Sequence, residues 1–450
     1  MSLPRYPEYK DSGVEWLGEV PAHWETWKLR HAFGAIGSGT TPPSDERHWY
    51  DEGTIPWITT GELREAVVCE TTKSVTPAAL QKFSTLKVHP KGALVIAMYG
   101  ATIGRLGFLG VDAATNQACC VLSVPRSLDV RFVFYWLHGF KQRIIDLYAT
   151  GGGQPNISQE TISSLRIPAP NIPEQTAIAT FLDRETGKID ALIAEQETLL
   201  RLLAEKRQAT ISHAVTKGLN PNAPMKDSGV AWLGEVPEHW VLTPLGRISV
   251  ARCDGPFGSG IKSEHYTDEG ALVVRLQNIR AGLFNMGEPV FLDESYFQKE
   301  LRGHEVKEGD LLVAGLGDDN NLLGRACVAP DGLGVALVKA DCFRFRLDTE
   351  RAIPEFVAWQ LSTGAAHDAG AMATGTTRSR IPLSIMSSRK LALPPSEEQA
   401  AITAFIARET AKLDALKTES ERAIALLKER RTALISAAVT GKIDVRHEAA

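Results

Sequence analysis

Residue types that could do chemistry are present in this sequence, but they do not assemble into a catalytic set. The run Gly255-Pro256-Phe257-Gly258-Ser259-Gly260-Ile261-Lys262-Ser263 carries glycines, a lysine and a serine, the groups with which a loop wraps a phosphate. An extra residue separates Gly260 from Lys262 and no buried strand precedes the run, so a nucleotide-binding loop is not expected. Gly37-Ser38-Gly39 lacks the strand-loop-helix setting of a cofactor loop. TPPS and LPPS lack the preceding Asn or Asp and the following aromatic of an amino-methyltransferase motif. Six cysteines, with no CxxC pair and no histidine at zinc-ligand spacing, point to buried free thiols in a reduced, cytoplasmic setting. No Ser/His/Asp set or nuclease-like carboxylate cluster stands out. The expectation is a chain with no catalytic residue, no cofactor and no metal of its own.

A different chemistry is available in the loops that carry glycine, threonine and arginine. Hydroxyls and exposed backbone N–H groups suit phosphate oxygens, whereas Arg, Gln and Asn can pair bidentately with base edges. On that ground the candidate DNA-contacting residues are Thr40, Thr41, Thr59, Thr60, Arg105, Gln154 and Asn156 in the first half of the chain. In the second half they are Lys262, Arg275, Gln277, Asn278, Arg325, Arg378 and Arg380. Ordinary loops share this composition, so the choice rests on chemistry alone.

The elements that must hold these loops are set by an internal repeat. Residues 10–24, KDSGVEWLGEVPAHW, return as residues 226–240, KDSGVAWLGEVPEHW, at an offset of 216. The stretch from Glu174 to Thr216 returns from Glu398 to Thr440 at an offset of 224, with the core RETxKxDAL in both copies. Between these near-identical pieces lie two regions that share only a skeleton. IPWIT, GALVIAMYG and NQACCVLSV read as strands, and RFVFYWLHGFKQRIIDLYAT reads as one helix. VVRLQNI stands in the place of WITTGEL, GDLLVAGLG in that of GALVIAMYG, and ATGTTRSRIP in that of TGGGQPNIS. Trp136 and Trp359 fall together on this alignment.

Each long segment predicts a helix of about 65 Å. Apolar spacings of four and three give a coiled-coil seam through Ile178, Leu182, Ile189, Leu192, Leu199 and Leu203. The second copy gives Ile402, Ile406, Leu413, Leu416, Leu427 and Leu434, with Glu185, Gln196 and Lys206 as polar breaks in the first. Phe181, Ile193, Leu200 and Leu202 widen the stripe. A pseudo-twofold relation between the halves makes the helices antiparallel and places the tail after Gly441 near Lys10. The fold class expected is α+β: two mixed α/β domains joined by two long antiparallel helices as an intramolecular coiled coil. The boundaries read as 1–170 (clip and first domain), 171–218 (first helix), 219–395 (second clip and domain) and 396–450 (second helix and tail).

Composition is compatible with this and excludes little else. With 44% hydrophobic and 23% charged residues the 450-residue chain is an ordinary multidomain soluble protein. Its net charge of −5 gives no global basic excess, so any nucleic-acid surface must be a local basic face. No apolar run is long enough to span a bilayer, and the polar first residues, with Pro4 and Pro7, do not read as a signal peptide.

The clip, GTTPPSDERHWYDEGTIPWITTGEL, the lead-ins IPAPNIPEQ and LALPPSEEQ, and the two RETxKxDAL cores together resemble the specificity (S) subunit of type I restriction-modification systems. The resemblance covers essentially the whole chain and keeps the family's order. It implies two target recognition domains, each reading one half of a bipartite target in double-stranded DNA. It implies helices that act as spacer and as the dock for two modification (methyltransferase) subunits. Restriction subunits would join them, with S-adenosylmethionine, and ATP with Mg for restriction, held on those partners. The alternative is a self-contained DNA-modifying enzyme, a methyltransferase or nuclease, with a coiled-coil dimerisation arm. Methylation by the chain alone would favour that alternative.

Overall fold

The computed structural model describes residues 3–151, 153–256, 260–318, 321–372 and 379–448. The chain divides into two compact units, Met1–Glu197 with Arg422–Ala450, and Thr198–Glu421. Both boundaries fall inside the long helices, Ile172–Lys217 and Ser396–Val439. Each unit therefore contains the first part of one helix, the last part of the other, one clip and one globular domain.

The clip owes its shape to a few side chains. Tyr9–Asp11 pairs antiparallel with Glu19–Pro21, and Met225–Asp227 with Glu235–Pro237. Between the strands Asp11 accepts from the Gly13 N–H at 2.8 Å, and Asp227 from that of Gly229 at 2.9 Å. Trp24 and Trp240 at the clip ends are fully buried. Trp24 Nε1 donates to Glu174 at 3.0 Å, and Tyr6 Oη adds a second bond to the same carboxylate at 2.7 Å. Burial, and then that carboxylate, push the Tyr6 phenol well above its usual range. Trp240 Nε1 and His239 Nε2 meet Glu398 in the same way, at 3.2 and 2.7 Å.

The glutamine that follows each glutamate performs a second task. Gln175 donates to the Ser127 and Pro170 carbonyls and accepts from the Asp129 N–H. Gln399 donates to Arg351 and Pro394 and accepts from Ile353. Both are fully buried, so every amide group they satisfy would otherwise lie unpaired in the core. The repeated Glu-Gln pair thus fastens clip and globular domain to one helix start.

At the other end of each helix a glycine takes over in the left-handed region, Gly218 at φ +74° and Gly441 at φ +70°. A Cβ at Gly441 would stand 2.3 Å from Pro21, so the last turn sits directly on the clip. Beyond it the Asp444 N–H donates to the Pro4 carbonyl at 2.7 Å, and Tyr9 Oη to the Gly441 carbonyl at 2.9 Å. The tail after Gly441 does lie beside the first clip, as the pseudo-twofold relation requires.

The helices run antiparallel. Arg431 bonds Asp190 at 2.9 Å in the first unit, and Arg207 approaches Asp414 to 3.6 Å in the second. These are the same pair of repeat positions seen twice. The seam differs from the one read from sequence. Leu192, Leu199 and Leu416 are 46%, 39% and 53% exposed. The inward positions are instead Ile189, Ile193, Gln196, Leu200 and Leu203, and Leu413, Ser420, Ile424 and Leu427 on the partner helix. Gln196, taken as a break, belongs to the seam.

Both domains are built on one skeleton. In the first, five strands run in the order Phe33–Ser38, Cys119–Pro125, Leu94–Ala97, Leu106–Leu109, Val67–Val68. In the second, Ser249–Cys253, Cys342–Leu347, Leu311–Ala314 and Ala326–Val328 repeat the first four places. A second small sheet contains a parallel pair in each, Ile55–Ile58 with Ala114–Thr115 and Ala271–Val274 with Ala336–Val338. The chain enters and leaves each domain through an antiparallel stem, Glu25–Lys28 with Arg166–Ala169 and Val241–Pro244 with Lys390–Leu393.

Two expectations are corrected here. The single helix expected over residues 131–150 is two, Val130–Gly139 and Lys141–Tyr148, broken at Phe140 with φ −111° and ψ 12°. Trp136 does not share a position with Trp359. Phe132 and Phe356 each meet their clip tryptophan edge-on, at 6.4 and 6.0 Å, which sets the register and makes Gln360 the counterpart of Trp136. Trp359 points instead at Gly282 and under the Arg207 guanidinium.

Candidate nucleic-acid interface

The frame ends in a cleft on each domain. In both, the strand Leu94–Ala97 or Leu311–Ala314 turns through a short hairpin whose tip pairs with the loop before the last domain helix. Tyr99 bridges to Asn156 in the first domain, and Leu316 pairs with Arg380 in the second. The first cleft, about 590 Å³, is lined by Tyr99, Gly100, Ala101 and residues 153–156. The second, about 490 Å³, is lined by Arg275, Gln277, Arg280, Asn321, Lys339 and Asp341 among others. The first lining is uncharged, and the second carries several cations with Asp318 and Asp341 among them.

The predicted contact residues separate into three groups. Gln154 and Asn156 line the first cleft, and Arg275 and Gln277 the second. Arg380 stands at the rim of the second, its Nε 2.6 Å from Asp341. Gln154 and Gln277 are exposed, Asn156 accepts from the Thr150 hydroxyl, and Arg275 reaches the Glu288 carbonyl at 2.7 Å.

Thr40, Thr41, Thr59, Thr60, Arg105 and Lys262 do not line these clefts. Thr40 and Thr41 spend their hydroxyls on Thr85 and Gln117. Thr59 and Thr60 open a short turn closed by Glu62, which accepts from the Thr59 N–H at 2.7 Å. Arg105 is half-buried, and Lys262 is exposed beside Glu264 at 3.7 Å. Arg378 lies outside the described residues.

Two candidates are reassigned to structural work. Asn278 is 3% exposed and occupies the place of Glu62 in the equivalent turn. Its Oδ1 accepts from the Arg275 N–H at 2.8 Å, and its Nδ2 donates to the Asn285 and Met286 carbonyls. Both amide hydrogens are spent and the side chain is buried away from a base. Arg325 is 6% exposed, with Nε on the Ile279 carbonyl at 2.7 Å and Nη2 on that of Leu276 at 2.8 Å. Its Nη1 takes the Asn321 and Leu322 carbonyls at 3.0 Å. Burial pulls the guanidinium below its usual range, and it forms the floor of the second cleft. Arg325→Met is expected to lower stability by about 2–4 kcal/mol, because several carbonyls lose a charged donor. Urea unfolding checks this, and a loss below about 1 kcal/mol would return Arg325 to the recognition set.

Glycines of the two runs rejected above as nucleotide and cofactor loops have a steric role. A Cβ at Gly39 would fall 1.7 Å from the Thr115 carbonyl oxygen, and one at Gly255 2.0 Å from the Lys339 carbonyl carbon. Each lets a loop cross a neighbouring backbone where no side chain fits. Sequence reasoning missed Tyr99, Arg280, Lys339 and Asp341, which line the clefts. The aligned GALVIAMYG and GDLLVAGLG runs could have flagged Tyr99, whereas Arg280, in the two-residue strand Ile279–Arg280, leaves no local signal. Asp341 has φ +66°, a strained value for a non-glycine residue. The nearby Asp254 carboxyl is raised by burial and by Asp341.

Among the described residues, no group of three or more His, Cys, Asp or Glu is placed to hold a metal ion. No helix among them is long and apolar enough to cross a membrane.

One frame is thus used twice to present two unlike polar clefts. The family described as type I restriction modification DNA specificity domain matches residues 21–200. The chain is 23% identical over 443 residues to the specificity subunit of the type I restriction enzyme EcoKI from Escherichia coli (strain K12), covering 96% of this chain and 92% of that one. It is 21% identical over 434 residues to the MjaVIII specificity subunit of Methanocaldococcus jannaschii, covering 95% of both. A chain from the structural study of complex assembly and conformational transition of the type I R-M system superposes with a TM-score of 0.66 at 16% identity, over 94% of this chain and 99% of that one. The HsdS subunit from Thermoanaerobacter tengcongensis gives 0.51 at 16% identity, over 94% and 98%. Over nearly its whole length the chain is thus similar to specificity subunits of type I restriction enzymes.

Proposed function

We propose that each globular domain of this chain reads one half of a bipartite duplex target, and that the helix pair sets the spacing between the half-sites. The observation that carries this reading is the repeated frame: clip, Glu-Gln anchor, stem and helix-end glycine recur at matching places in both halves, while the clefts they hold differ. A frame held constant serves something common to both halves, and clefts that diverge serve two different sequences. The boundaries are those of two recognition domains, 1–170 and 219–395, with helical spacers 171–218 and 396–450.

On this reading the outward faces of the helices dock two methyltransferase subunits, and restriction subunits complete the assembly. S-adenosylmethionine, and ATP with Mg for cleavage, belong to those partners, and the setting is the cytoplasm. Duplex DNA containing a random stretch, selected by the full chain, is expected to yield two fixed half-sites separated by a degenerate spacer. Recovery of no motif, or of one uninterrupted motif, would overturn the proposal. Inserting one heptad at matching points of both helices adds about 10 Å. It should lengthen the spacer by about three base pairs at 3.4 Å each and leave both half-sites as they were. An unchanged spacer would remove the helices' measuring role.

A further inference from the structure

We infer that the rung opposite each hairpin tip, Asn156 in the first domain and Arg380 in the second, is a base-reading position, and that its chemistry makes the two half-sites differ in kind. The inference rests on the bipartite reading above and adds which base pair each domain takes there. Tyr99 with Asn156, and Leu316 with Arg380, are the same backbone pairing in the two domains. The repeat offset from Asn156 to Arg380 is 224, equal to that of the long helices, so the two residues occupy one place on one frame. Where the surrounding frame is repeated, this rung changes from a neutral amide to a guanidinium.

The neighbours change with it. The first cleft holds Gln154 beside Asn156 and no ionisable acid or base except the Tyr99 phenol, which is 42% exposed. Carboxamides present a donor and an acceptor side by side, the pattern complementary to adenine N7 and N6. In the second, Arg380 Nε lies 2.6 Å from Asp341, whose backbone is held at φ +66° on the cleft wall. A guanidinium matches the two acceptors of guanine, and a carboxylate accepts from cytosine N4, so the pair together carries the complement of one G·C base pair. Arg380 is 52% exposed in its side chain. An ion pair so open to water contributes little to stability, so exchanging the Asp341 contact for one to a base costs little. Within this frame, the first domain reads an A·T pair and the second a G·C pair at the rung.

Selection of random duplexes by the full chain, with Arg380→Asn and Asn156→Ala as variants, tests this. Wild type should yield one half-site with a fixed G·C pair that Arg380→Asn loses, preference for it falling roughly 5- to 150-fold. Asn156→Ala should relax an A·T position in the other half-site alone. Retained thermal unfolding of both variants excludes a folding defect; Arg380 is exposed and Asn156 half-buried. If Arg380→Asn instead weakens binding to all sequences and lowers the salt slope by about one, the residue holds a phosphate and the inference is wrong. Loss of an A·T position in Arg380→Asn would overturn it as well. A wild-type chain that selects no motif would defeat the DNA-reading function itself, a result distinct from either of these.

Discussion

Trp240→Ala is expected to destabilise the unit that contains it by about 3–5 kcal/mol, the range for removing a fully buried aromatic. The indole is inaccessible to solvent and meets Phe356 edge-on at 6.0 Å. It also donates to Glu398 at 3.2 Å, and its ring contacts the space that a side chain at Gly218 would fill. One side chain therefore joins the clip, the first turn of one helix, the last turn of the other and the domain helix. Its removal leaves a cavity and a carboxylate with His239 alone. Trp240→Phe keeps most of the volume and loses the donor, and should cost only about 1–3 kcal/mol. Urea unfolding measures both, and hydrogen exchange should show the extra opening around residues 211–240. Equal costs for the two variants would show that the bond to Glu398, lost in both, rather than the packing lost only in Trp240→Ala, fastens the clip. A cost under 1 kcal/mol for Trp240→Ala would mean the clip is not a fastening at all.

The frame was legible because each of its parts serves one geometric purpose and occurs twice. Repetition exposed the clip, the Glu-Gln pair and the antiparallel helices before any contact was known. The seam was misread for a local reason. Leu192-Ile193, Leu199-Leu200 and Leu202-Leu203 are adjacent apolar pairs, so two heptad frames one residue apart are almost equally apolar. Burial selects Ile193 and Leu200, and only the packing of the partner helix distinguishes them. Asn278 and Arg325 were misjudged because an Asn or Arg in a loop has the same letters whether it faces solvent or ties carbonyls together. Their role is fixed by the turn at residues 285–286 and by the carbonyls of Leu276, Ile279, Leu316, Asn321 and Leu322, none of which a local motif specifies. Arg280, Lys339 and Asp341 come together only through strand pairing across some sixty residues of sequence.

Replacing residues 245–389 with the corresponding part of a related chain is expected to change one half-site and leave the other half-site and the spacer as they are. The graft points follow from the stem. Val241 pairs with Leu393 and Pro244 with Lys390, so the chain enters and leaves the domain side by side. The pairs outside the cut are kept, as are Glu398 and Gln399, which secure the helix start to the clip and to the carbonyls at Arg351 and Pro394. Gln360, inside the cut and fully buried, also reaches across it. Gln360 donates to the Val215 and Ala392 carbonyls at 2.6 and 2.9 Å and accepts from the Ala392 N–H at 2.9 Å. An incoming domain with a small apolar residue there would strand those groups in the core, at about 1–3 kcal/mol for each left unpaired. The first domain meets the same place differently, with the bulk of Trp136, whose Nε1 has no partner. Grafts carrying Gln or a large aromatic at this position should therefore fold and switch one half-site, and grafts carrying alanine should unfold first. The selected motifs and the urea midpoints of a small set of grafts read both effects together. A graft that folds and alters both half-sites would show that the domains do not read independently, and the repeated frame would then need another reason to exist.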